Sequence, residues 1–445
     1  MTLFKKYLYP ILVGSFLLSM LLIILFAKKN PPIPSLKDRE GTLAASSEWL
    51  NTKQVITGLL STLKMNPENH KAKLQLAEAY MQEARVTGNH PYYDMAALQL
   101  LNEVLNKEPE NFEALCCKSS VYLSQHHFAD ALAIAKEAQE VNPDAAFVYG
   151  LLTDANVELG YYKDAVEMAD KMVSIRPDLK SYSRVSYLRE IYGNYQGSIE
   201  AMKQAVTAGY PGLEQTEWAR VTLGHLYENT GDLLNAEMQY QIALQDRPDY
   251  PFAYAGLGRI AKAKKNYLMA ASYMEKAKKI IREYSFSDEL TDLYRLSNQP
   301  ARAKINAQEV ITMLVGDAES ANQNENIGHY ADRELAYAYL KTNELDKALE
   351  HAEIEYKRRP ENIDVCETLA WVHYKRGEFA EANKLINTAL RTHSNNPVLL
   401  CRAGLIKFKS GETANGIIFV KKSFQINPFL VPDLASEAKP YLVMK

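Results

Sequence analysis

The sequence predicts an all-α fold, namely a superhelical solenoid of about ten helix pairs preceded by one membrane-spanning helix. Three observations predict it: a small residue recurs about every 34 residues, a proline often follows it twelve residues later, and the first thirty residues contain a long uncharged run. Self-similarity at such a period is typical of repeat architectures. The composition agrees, because 24% charged and 47% hydrophobic residues in a chain of 445 are ordinary values for a folded protein.

The first element is the uncharged run from Tyr7 to Ala27, which is 21 residues long. At about 1.5 Å per residue, a helix of this length crosses roughly 30 Å, the thickness of the hydrocarbon core of a bilayer. We predict an N-terminal transmembrane anchor over residues 1–29, with a cleaved signal peptide as the alternative. Two lysines lie on each side of the run. The slight excess of positive charge on the N-terminal side predicts a single-pass protein whose body is periplasmic.

The remaining boundaries follow from composition and from the repeat period. The proline-rich segment disfavours helix, a polar Asn-rich insert is expected to be a mobile loop, and each exposed end of a repeat array needs a cover. The predicted segments are a spacer (30–45), a capping helix (46–68), an N-terminal array (69–314), the polar loop (315–328), a C-terminal array (329–428) and a C-terminal cap (429–445).

One register of small residues runs through the body. A small side chain is favoured where two helices cross closely, since a larger one would force them apart. The clearest unit runs from Trp218 to Asp249, with apolar and small residues at helical spacing on both sides of Gly231. Each unit is therefore predicted to be two antiparallel helices joined by a tight turn. The members of the register are Ala97, Ala131, Ala165, Ser198, Ala236, Ala270, Ala303, Ala348, Ala382 and Gly416.

At these residues the sequence resembles the tetratricopeptide-repeat (TPR) family over about residues 69–428. The unit from Trp218 to Asp249 carries the resemblance most fully, through Leu223-Gly224, Tyr227 and Gly231-Asp232. The segment 332–405 is also similar to a widespread group of bacterial, membrane-anchored repeat proteins without a common activity. The resemblance implies a concave face, made by the first helix of each repeat, that binds protein or peptide partners.

Aromatic and basic residues in first helices are the candidate partner-binding groove, since such side chains are the usual anchors of binding hot spots. A groove of this kind suits a peptide with acidic groups. The alternative is that the aromatics pack between adjacent helices and that the cations pair with neighbouring acids. Phe147 and Tyr187 fall in the same register. The predicted groove residues are Trp218, His225, Phe252, Arg259, Lys262, Arg295, Arg333, Tyr337, Trp371 and Tyr374.

The sequence predicts neither an enzyme nor a cofactor, because it contains no Walker loop, His-Glu-x-x-His or Gly-x-Ser-x-Gly motif. The neighbouring Cys116-Cys117 and His126-His127 pairs are not predicted to bind a metal. Nine residues separate Cys117 from His126, which is about 13 Å along a helix. No nucleic-acid partner is expected, because the formal net charge is −3 and the residues beyond 30 alone carry −7.

The leading functional hypothesis is a membrane-anchored scaffold or adaptor at a bacterial cell envelope, which binds a protein or peptide partner in its concave groove. One alternative is an accessory binding protein for a small acidic ligand or haem in envelope transport. A remote alternative is an unrecognised enzyme. The sequence does not identify the partner.

Overall fold

The computed structural model describes residues 13–20, 32–322 and 328–443 of the chain. The chain divides into two units, Met1–Leu36 and Lys37–Lys445. In the first unit, residues 13–20 form a helix, α1, and residues 32–36 have no regular structure. The described residues of the second unit are helices and short connections, without a strand. The prediction of an all-α fold is confirmed.

The structure contradicts the predicted membrane anchor. Of the run from Tyr7 to Ala27, only α1 is described, and the remainder lies outside the described residues. Across the ranges that the structure covers, no helix is both long enough and apolar enough to cross a membrane. The predicted transmembrane helix and periplasmic localisation are therefore wrong on this finding, and neither enters the function proposed below.

The second unit opens with α2 (Gly41–Ala44) and α3 (Ser47–Met65), continues as helix pairs, and closes with α24 (Pro432–Leu442). The prediction of tetratricopeptide-type helix pairs is confirmed. In the described residues there are ten pairs, which we number as repeats 1 to 10: α4 (His70–Thr87) and α5 (His90–Leu105), α6 (Phe112–Ser124) and α7 (Phe128–Val141), α8 (Ala146–Leu159) and α9 (Tyr162–Ile175), α10 (Leu179–Ile191) and α11 (Tyr195–Ala208), α12 (Glu214–Asn229) and α13 (Leu233–Asp246), α14 (Pro251–Ala263) and α15 (Tyr267–Ile280), α16 (Tyr284–Leu296) and α17 (Pro300–Asn322), α18 (Asp332–Lys341) and α19 (Leu345–Arg358), α20 (Ile363–Arg376) and α21 (Phe379–Ala389), α22 (Pro397–Lys409) and α23 (Thr413–Ile426).

Local sequence explains where the helices begin and turn. Asn111 and Asp178 are N-caps whose side chains accept hydrogen bonds from backbone amides of the first turns of α6 and α10, which satisfies donors that a helix start leaves free. Between the two helices of every repeat, one residue has a left-handed φ, which glycine adopts without a steric penalty. These turn residues are Gly88, His126, Gly160, Gly193, Gly231, Lys265, Asn298, Asn343, Gly377 and Gly411.

The recurring small residues are where the helices approach most closely. Ala97, Ala131 and Ala236 are fully buried. The space that small residues leave is filled from a neighbouring helix, and Tyr240 of α13 is the clearest case. A Cβ atom added to Gly224 or to Gly256 would lie 2.5 Å from its ring. The tight crossing predicted from the register is therefore present in the structure.

The chain departs from the regular repeat in two places, and the segment predicted as a polar loop is one of them. The extra residues around Val86 to Tyr93 lengthen both helices of repeat 1, since α4 ends at Thr87 and α5 begins at His90. Helix α17 continues to Asn322, so the first eight residues of the segment predicted as a polar loop are helical. Val315 packs against the apolar cluster that contains Leu335, which explains why the helix continues. Residues 323–327 lie outside the described residues.

The superhelix closes on itself after about six repeats. The turn of repeat 2 meets the segment that leads into repeat 8, where the Tyr330 amide donates to the Gln125 carbonyl at 3.1 Å. The turn of repeat 3 meets the entry to repeat 9, where the Ile363 amide donates to the Tyr162 hydroxyl at 2.9 Å. The Asn395 side chain donates to the Gly193 carbonyl at 2.8 Å. We call this line of contacts the seam, and it makes the concave side an enclosed interior.

Candidate functional site

A cavity of about 890 Å³ lies in this interior, among the first helices of repeats 1 to 5. Helices α4, α6, α8, α10 and α12 stand side by side around it, because the small residues of the repeat register let each pair pack closely on the next. The apolar part of its wall combines thioether, aliphatic and aromatic side chains, which are Met81, Phe147, Leu151, Met202, Trp218 and Leu226.

Three large rings remain partly open to this cavity. Trp218 is 43% exposed, Tyr187 is also 43% exposed, and Phe147 is 36% exposed. The Lys180 ammonium lies 5.0 Å from the centroid of the Phe147 ring. Exposed aromatic side chains gathered in a concavity mark a site of interaction rather than ordinary surface, since single exposed apolar residues on a convex face bury little on contact.

Ion pairs and hydrogen bonds hold the polar part of the wall in place. Arg184 forms a two-point contact with Asp154, with nitrogen–oxygen distances of 2.9 and 2.5 Å. The Asp94 carboxylate accepts from Ser124 at 2.6 Å and from Gln125 at 2.5 Å. A bidentate arginine–carboxylate pair is geometrically specific. These groups form a fixed frame around the apolar wall rather than free charges.

Burial raises the pKa of two acids of this wall, Glu78 and Glu190, and the Glu190 value is displaced to near neutrality. Burial raises the pKa of Glu190 to about 7, although the Asn229 amide, which donates to it at 3.1 Å, acts in the opposite direction. His225 lies nearby in the cavity wall, and burial together with the Arg259 charge lowers the pKa of its imidazole. The interior therefore carries less net charge at neutral pH than its sequence suggests.

The Glu190→Gln variant should show a weaker dependence of stability on pH. Because the folded-state pKa of Glu190, about 7, exceeds its ordinary value, folding takes up a proton between the two values. The free energy of unfolding therefore falls as pH rises through that window, and the neutral amide removes this fall. We expect the loss between about pH 5 and about pH 8 to shrink by on the order of 2 kcal/mol, as measured by urea denaturation at both pH values.

Glu289→Gln is the matched control for that measurement. Burial would raise the pKa of Glu289, but the Lys262 ammonium and its hydrogen bond hold it at about 2. Glu289 thus stays ionised throughout the window, and its variant should lose stability equally at both pH values. If the free energy of unfolding of Glu190→Gln changed with pH as much as that of the unchanged chain, Glu190 would not be the group that takes up the proton.

The structure brings two of the ten predicted groove residues, Trp218 and His225, into the cavity. The cationic candidates of the later repeats are paired with acids. The Arg259 Nε atom lies 2.9 Å from the Glu228 carboxylate, and Lys262 pairs with Glu289. Arg295 contacts both Asp292 and Asp433.

The aromatic candidates of the later repeats lie between helices. Trp371 and Tyr374 are 7% and 6% exposed, and their rings stack with centroids 4.8 Å apart. Phe252 packs on Phe286 at 5.8 Å, and Tyr337 accepts a hydrogen bond from Arg402 at 2.7 Å. These residues join neighbouring repeats and do not line one groove.

Arg333 is the exception among the cations. Its guanidinium lies 5.9 Å from the Tyr337 ring centroid, and its Nε atom has no hydrogen-bond partner in the described part of the chain. It faces a second, smaller and more polar cavity of about 310 Å³, whose wall also includes Glu158, Arg359 and Asp364. This cavity lies along the seam and not in the cavity of repeats 1 to 5.

Sequence patterns predicted part of the apolar wall of the cavity, but they did not predict most of the polar residues that surround it. Phe147 and Tyr187, which the register placed on the concave face, do line the cavity. The sequence did not predict Met81, Leu151 or Glu190 as cavity residues. Nothing in a single repeat distinguishes a side chain that faces the open interior from one that faces a neighbouring helix. The four cysteines are free and buried, and burial raises the pKa of both Cys116 and Cys117 to about 12, so that neither is a thiolate near neutral pH.

Comparison with known proteins finds repeat proteins of low sequence identity. No family model matches the chain. Human protein O-mannosyl-transferase TMTC1 is 24% identical over 170 residues, which are 38% of this chain and 19% of that protein, so the chain spans less than a fifth of the length of this curated relative. Among solved structures, the thermophilic TPR protein TTC0263 of Thermus thermophilus is 22% identical, with coverage of 44% of this chain and 99% of that one and a TM-score of 0.38. Yeast Tom70 is 13% identical, with 89% and 94% coverage and a TM-score of 0.36. These likenesses concern the repeat fold alone.

Proposed function

We propose that this tetratricopeptide-repeat protein is a non-catalytic scaffold that binds a protein or peptide segment in the cavity of repeats 1 to 5. The observation that carries the proposal is the group of open rings, Phe147, Tyr187 and Trp218, inside a concave wall of adequate size. Ligand sites typically enclose about 300–1,000 Å³ and are lined mostly by apolar and aromatic side chains with a few fixed polar groups. The cavity has all of these properties.

The chemistry of the wall favours a segment with apolar side chains and an acidic group. Phe147 and Trp218 offer aromatic area at little cost in conformational entropy. Lys180 stands beside them, and burial together with the nearby charges of Arg184 and Arg85 lowers the pKa of its ammonium. A carboxylate of the partner beside Lys180 would oppose both effects, because an opposite charge favours the ammonium form. An acidic, aromatic-containing peptide is therefore the expected ligand class.

The Phe147→Ala/Trp218→Ala double variant should lose most of the affinity for such a peptide. Peptides are first selected from a displayed random library against the immobilised full chain, and their affinities are then measured by fluorescence anisotropy. Each buried aromatic anchor that is truncated costs about 2 kcal/mol, so we expect the dissociation constant to rise by at least about 100-fold. Truncation on the inner wall removes apolar area that the peptide would cover.

A matched control removes apolar side chains elsewhere. Leu234 and Leu268 are 79% and 73% exposed and begin the second helices of repeats 5 and 6. The Leu234→Ala/Leu268→Ala variant should bind the selected peptides as the unchanged chain does. Equal affinities of the two double variants would exclude the cavity as the binding site.

A small acidic ligand is the second candidate occupant, and the Lys180 ammonium in the cavity wall beside the open Phe147 ring is the observation that favours it. A thermal-shift screen of low-mass carboxylic acids distinguishes it from the peptide proposal. Saturable stabilisation that disappears in Lys180→Ala and that also displaces the selected peptides would indicate such a ligand. Ligands recovered with unchanged mass would support a binding protein rather than an enzyme.

A further inference from the structure

His126 occupies a position at which most repeats have glycine. In the ten turn residues of the described repeats, six are glycine and two, Asn298 and Asn343, are asparagine, which tolerates a left-handed backbone. His126 adopts this conformation with φ of 61°. Lys265 has the same φ of 61°, so the contacts of the His126 side chain, rather than its backbone conformation, indicate its role.

Two groups from about 200 residues further along the chain meet His126 at the seam. The rings of His126 and His329 have centroids 4.1 Å apart. Glu334, in the first turn of α18, completes the cluster, and one ligand-type atom from each of the three residues lies within 4.8 Å of the other two. The Oε2 atom of Glu334 is buried and has no hydrogen-bond partner among the described residues. Such an unsatisfied carboxylate oxygen needs a partner that the protein atoms do not supply.

The hydrogen bonding of His126 leaves one ring nitrogen available. Its Nδ1 atom is 3.0 Å from the carbonyl oxygen of Tyr330. A carbonyl only accepts, so Nδ1 carries the hydrogen and Nε2 presents a lone pair. This is the arrangement by which backbone carbonyls orient metal-binding histidines.

The charges around the cluster permit a cation. Arg359 faces the same region, but it is held between Glu158 at 2.6 Å and Glu355 at 2.5 Å. Arg333 forms no such ion pair among the described residues, but the charges of Asp364, Glu334 and Glu367 lie near it and favour its charged form.

We propose that His126, His329 and Glu334 bind a divalent transition-metal ion, with zinc as the best chemical match, and that this ion fastens repeat 2 to the entry of repeat 8. Two imidazoles and a carboxylate are a common zinc ligand set, with water completing the tetrahedron. Bonds of about 2.0–2.1 Å place tetrahedral ligand atoms about 3.3 Å apart, so movements of about 1 Å would close the cluster around the ion.

The ion would also steady the cavity. Gln125, the residue before His126, donates a hydrogen bond to Asp94 in the cavity wall. Fixing the turn of repeat 2 therefore fixes one edge of the cavity. Metal binding itself does not depend on the proposed function, because its ligands lie on the seam.

The full chain, stripped with a chelator and dialysed, tests the proposal with zinc alone and with cobalt(II) as a spectroscopic probe. Calorimetry should show one zinc ion per chain, and cobalt should give the visible absorption of a tetrahedral site with nitrogen and oxygen ligands. His126→Asn, which keeps a residue suited to the left-handed turn, and Glu334→Gln should each weaken zinc binding by more than about tenfold. His373→Ala, which removes a histidine paired with Glu378 at 2.6 Å, is the control and should bind zinc normally.

Hydrogen exchange distinguishes an ion that fastens repeat 2 to the entry of repeat 8 from an ion that binds without a structural effect. Zinc should slow amide exchange in residues 125–128 and 328–332 of the unchanged chain, and it should not do so in His126→Asn. Absence of zinc binding by the unchanged chain would refute the site, and so would ligand variants that bind zinc as tightly as the unchanged chain does. Zinc binding without slowed amide exchange would refute the proposal that the ion fastens the two repeats together.

Discussion

Replacing Gly160 with alanine is expected to separate the two turns of the superhelix at repeat 3 and to lower the free energy of unfolding by about 2–4 kcal/mol. Gly160 has φ of +84°, and an added Cβ atom would lie 2.2 Å from the Glu361 carbonyl oxygen and 2.7 Å from the Asn362 nitrogen. Those atoms belong to backbone, so no side-chain rotation relieves the overlap. One of the two chain segments has to move away.

Movement at this point would also break hydrogen bonds of the seam. The Arg391 side chain donates to the Gly160 carbonyl at 2.8 Å, and the Asn362 side chain donates to the Glu158 carbonyl at 2.9 Å. Urea denaturation gives the loss of stability, and hydrogen exchange should show faster opening in residues 358–363. The variant then reports directly on whether successive turns of the superhelix stabilise each other.

Gly377→Ala separates this effect from backbone strain alone. Gly377 is the corresponding turn residue of repeat 9 and has φ of +82°, but an added Cβ atom would have no other atom within 4 Å. Only the left-handed conformation then opposes the substitution, with a cost of about 1 kcal/mol. Equal losses in the two variants would show that the seam contributes nothing at repeat 3.

The helix pairs were predictable because the signals for them are local. Gly231 and Pro248 mark a turn and a helix end within one repeat, and Ala236 marks a close crossing between consecutive helices. Each of these features depends on residues within about one repeat length. A repeating pattern of 34 residues therefore specified the architecture of residues 70–426 without information on distant contacts.

The seam and the cavity were not predictable, because they depend on the pitch of the superhelix. His126 and His329 are 203 residues apart in the sequence, and nothing in either segment indicates that six repeats complete a turn. The pairing of Arg259 with Glu228 was easier to predict from the sequence, since 31 residues separate them, which is about one repeat. For Arg259, the acid one repeat earlier was therefore a usable signal that this cation of the predicted groove would be neutralised.

The predicted membrane anchor shows a different limit of prediction from the sequence. A run of 21 uncharged residues is sufficient in length for a membrane helix, but length and hydropathy of the sequence do not establish the helix itself. The part of this run that the structure describes is one helix of eight residues. The function proposed here therefore relies on the interior of residues 70–229 alone.

Replacing Tyr240 with alanine is expected to cause the largest loss of stability, about 3–5 kcal/mol. Tyr240 is fully buried, and its ring fills the space that Gly224 and Gly256 leave between repeats 5 and 6. Its hydroxyl donates to Glu228, which also binds Arg259 at 2.9 Å. Truncation would leave a cavity. It would also remove the hydroxyl that donates to the Glu228 carboxylate of the Glu228–Arg259 ion pair, and both changes are costly.

Tyr240→Phe separates the ring from the hydroxyl, because it keeps the packing and removes only the hydrogen bonds that the hydroxyl makes with Glu228 and Arg259. We expect it to lose about 1 kcal/mol in urea denaturation, since Arg259 continues to neutralise Glu228. A loss in Tyr240→Phe as large as in Tyr240→Ala would mean that the polar contact, and not the ring, holds the two repeats together.

A double-mutant cycle with Gly256→Ala tests the fit of the ring between the glycines. Alone, Gly256→Ala should destabilise the chain, because its methyl group would lie 2.5 Å from the Tyr240 ring. In the Tyr240→Ala background the same methyl group enters the vacated space, and it should restore part of the lost stability. The coupling energy between the two positions should therefore be on the order of 1–3 kcal/mol and favourable for the double variant. Additive losses would show that the ring and the glycine do not share the same space, and that the small residues of the register are not what sets the distance between repeats.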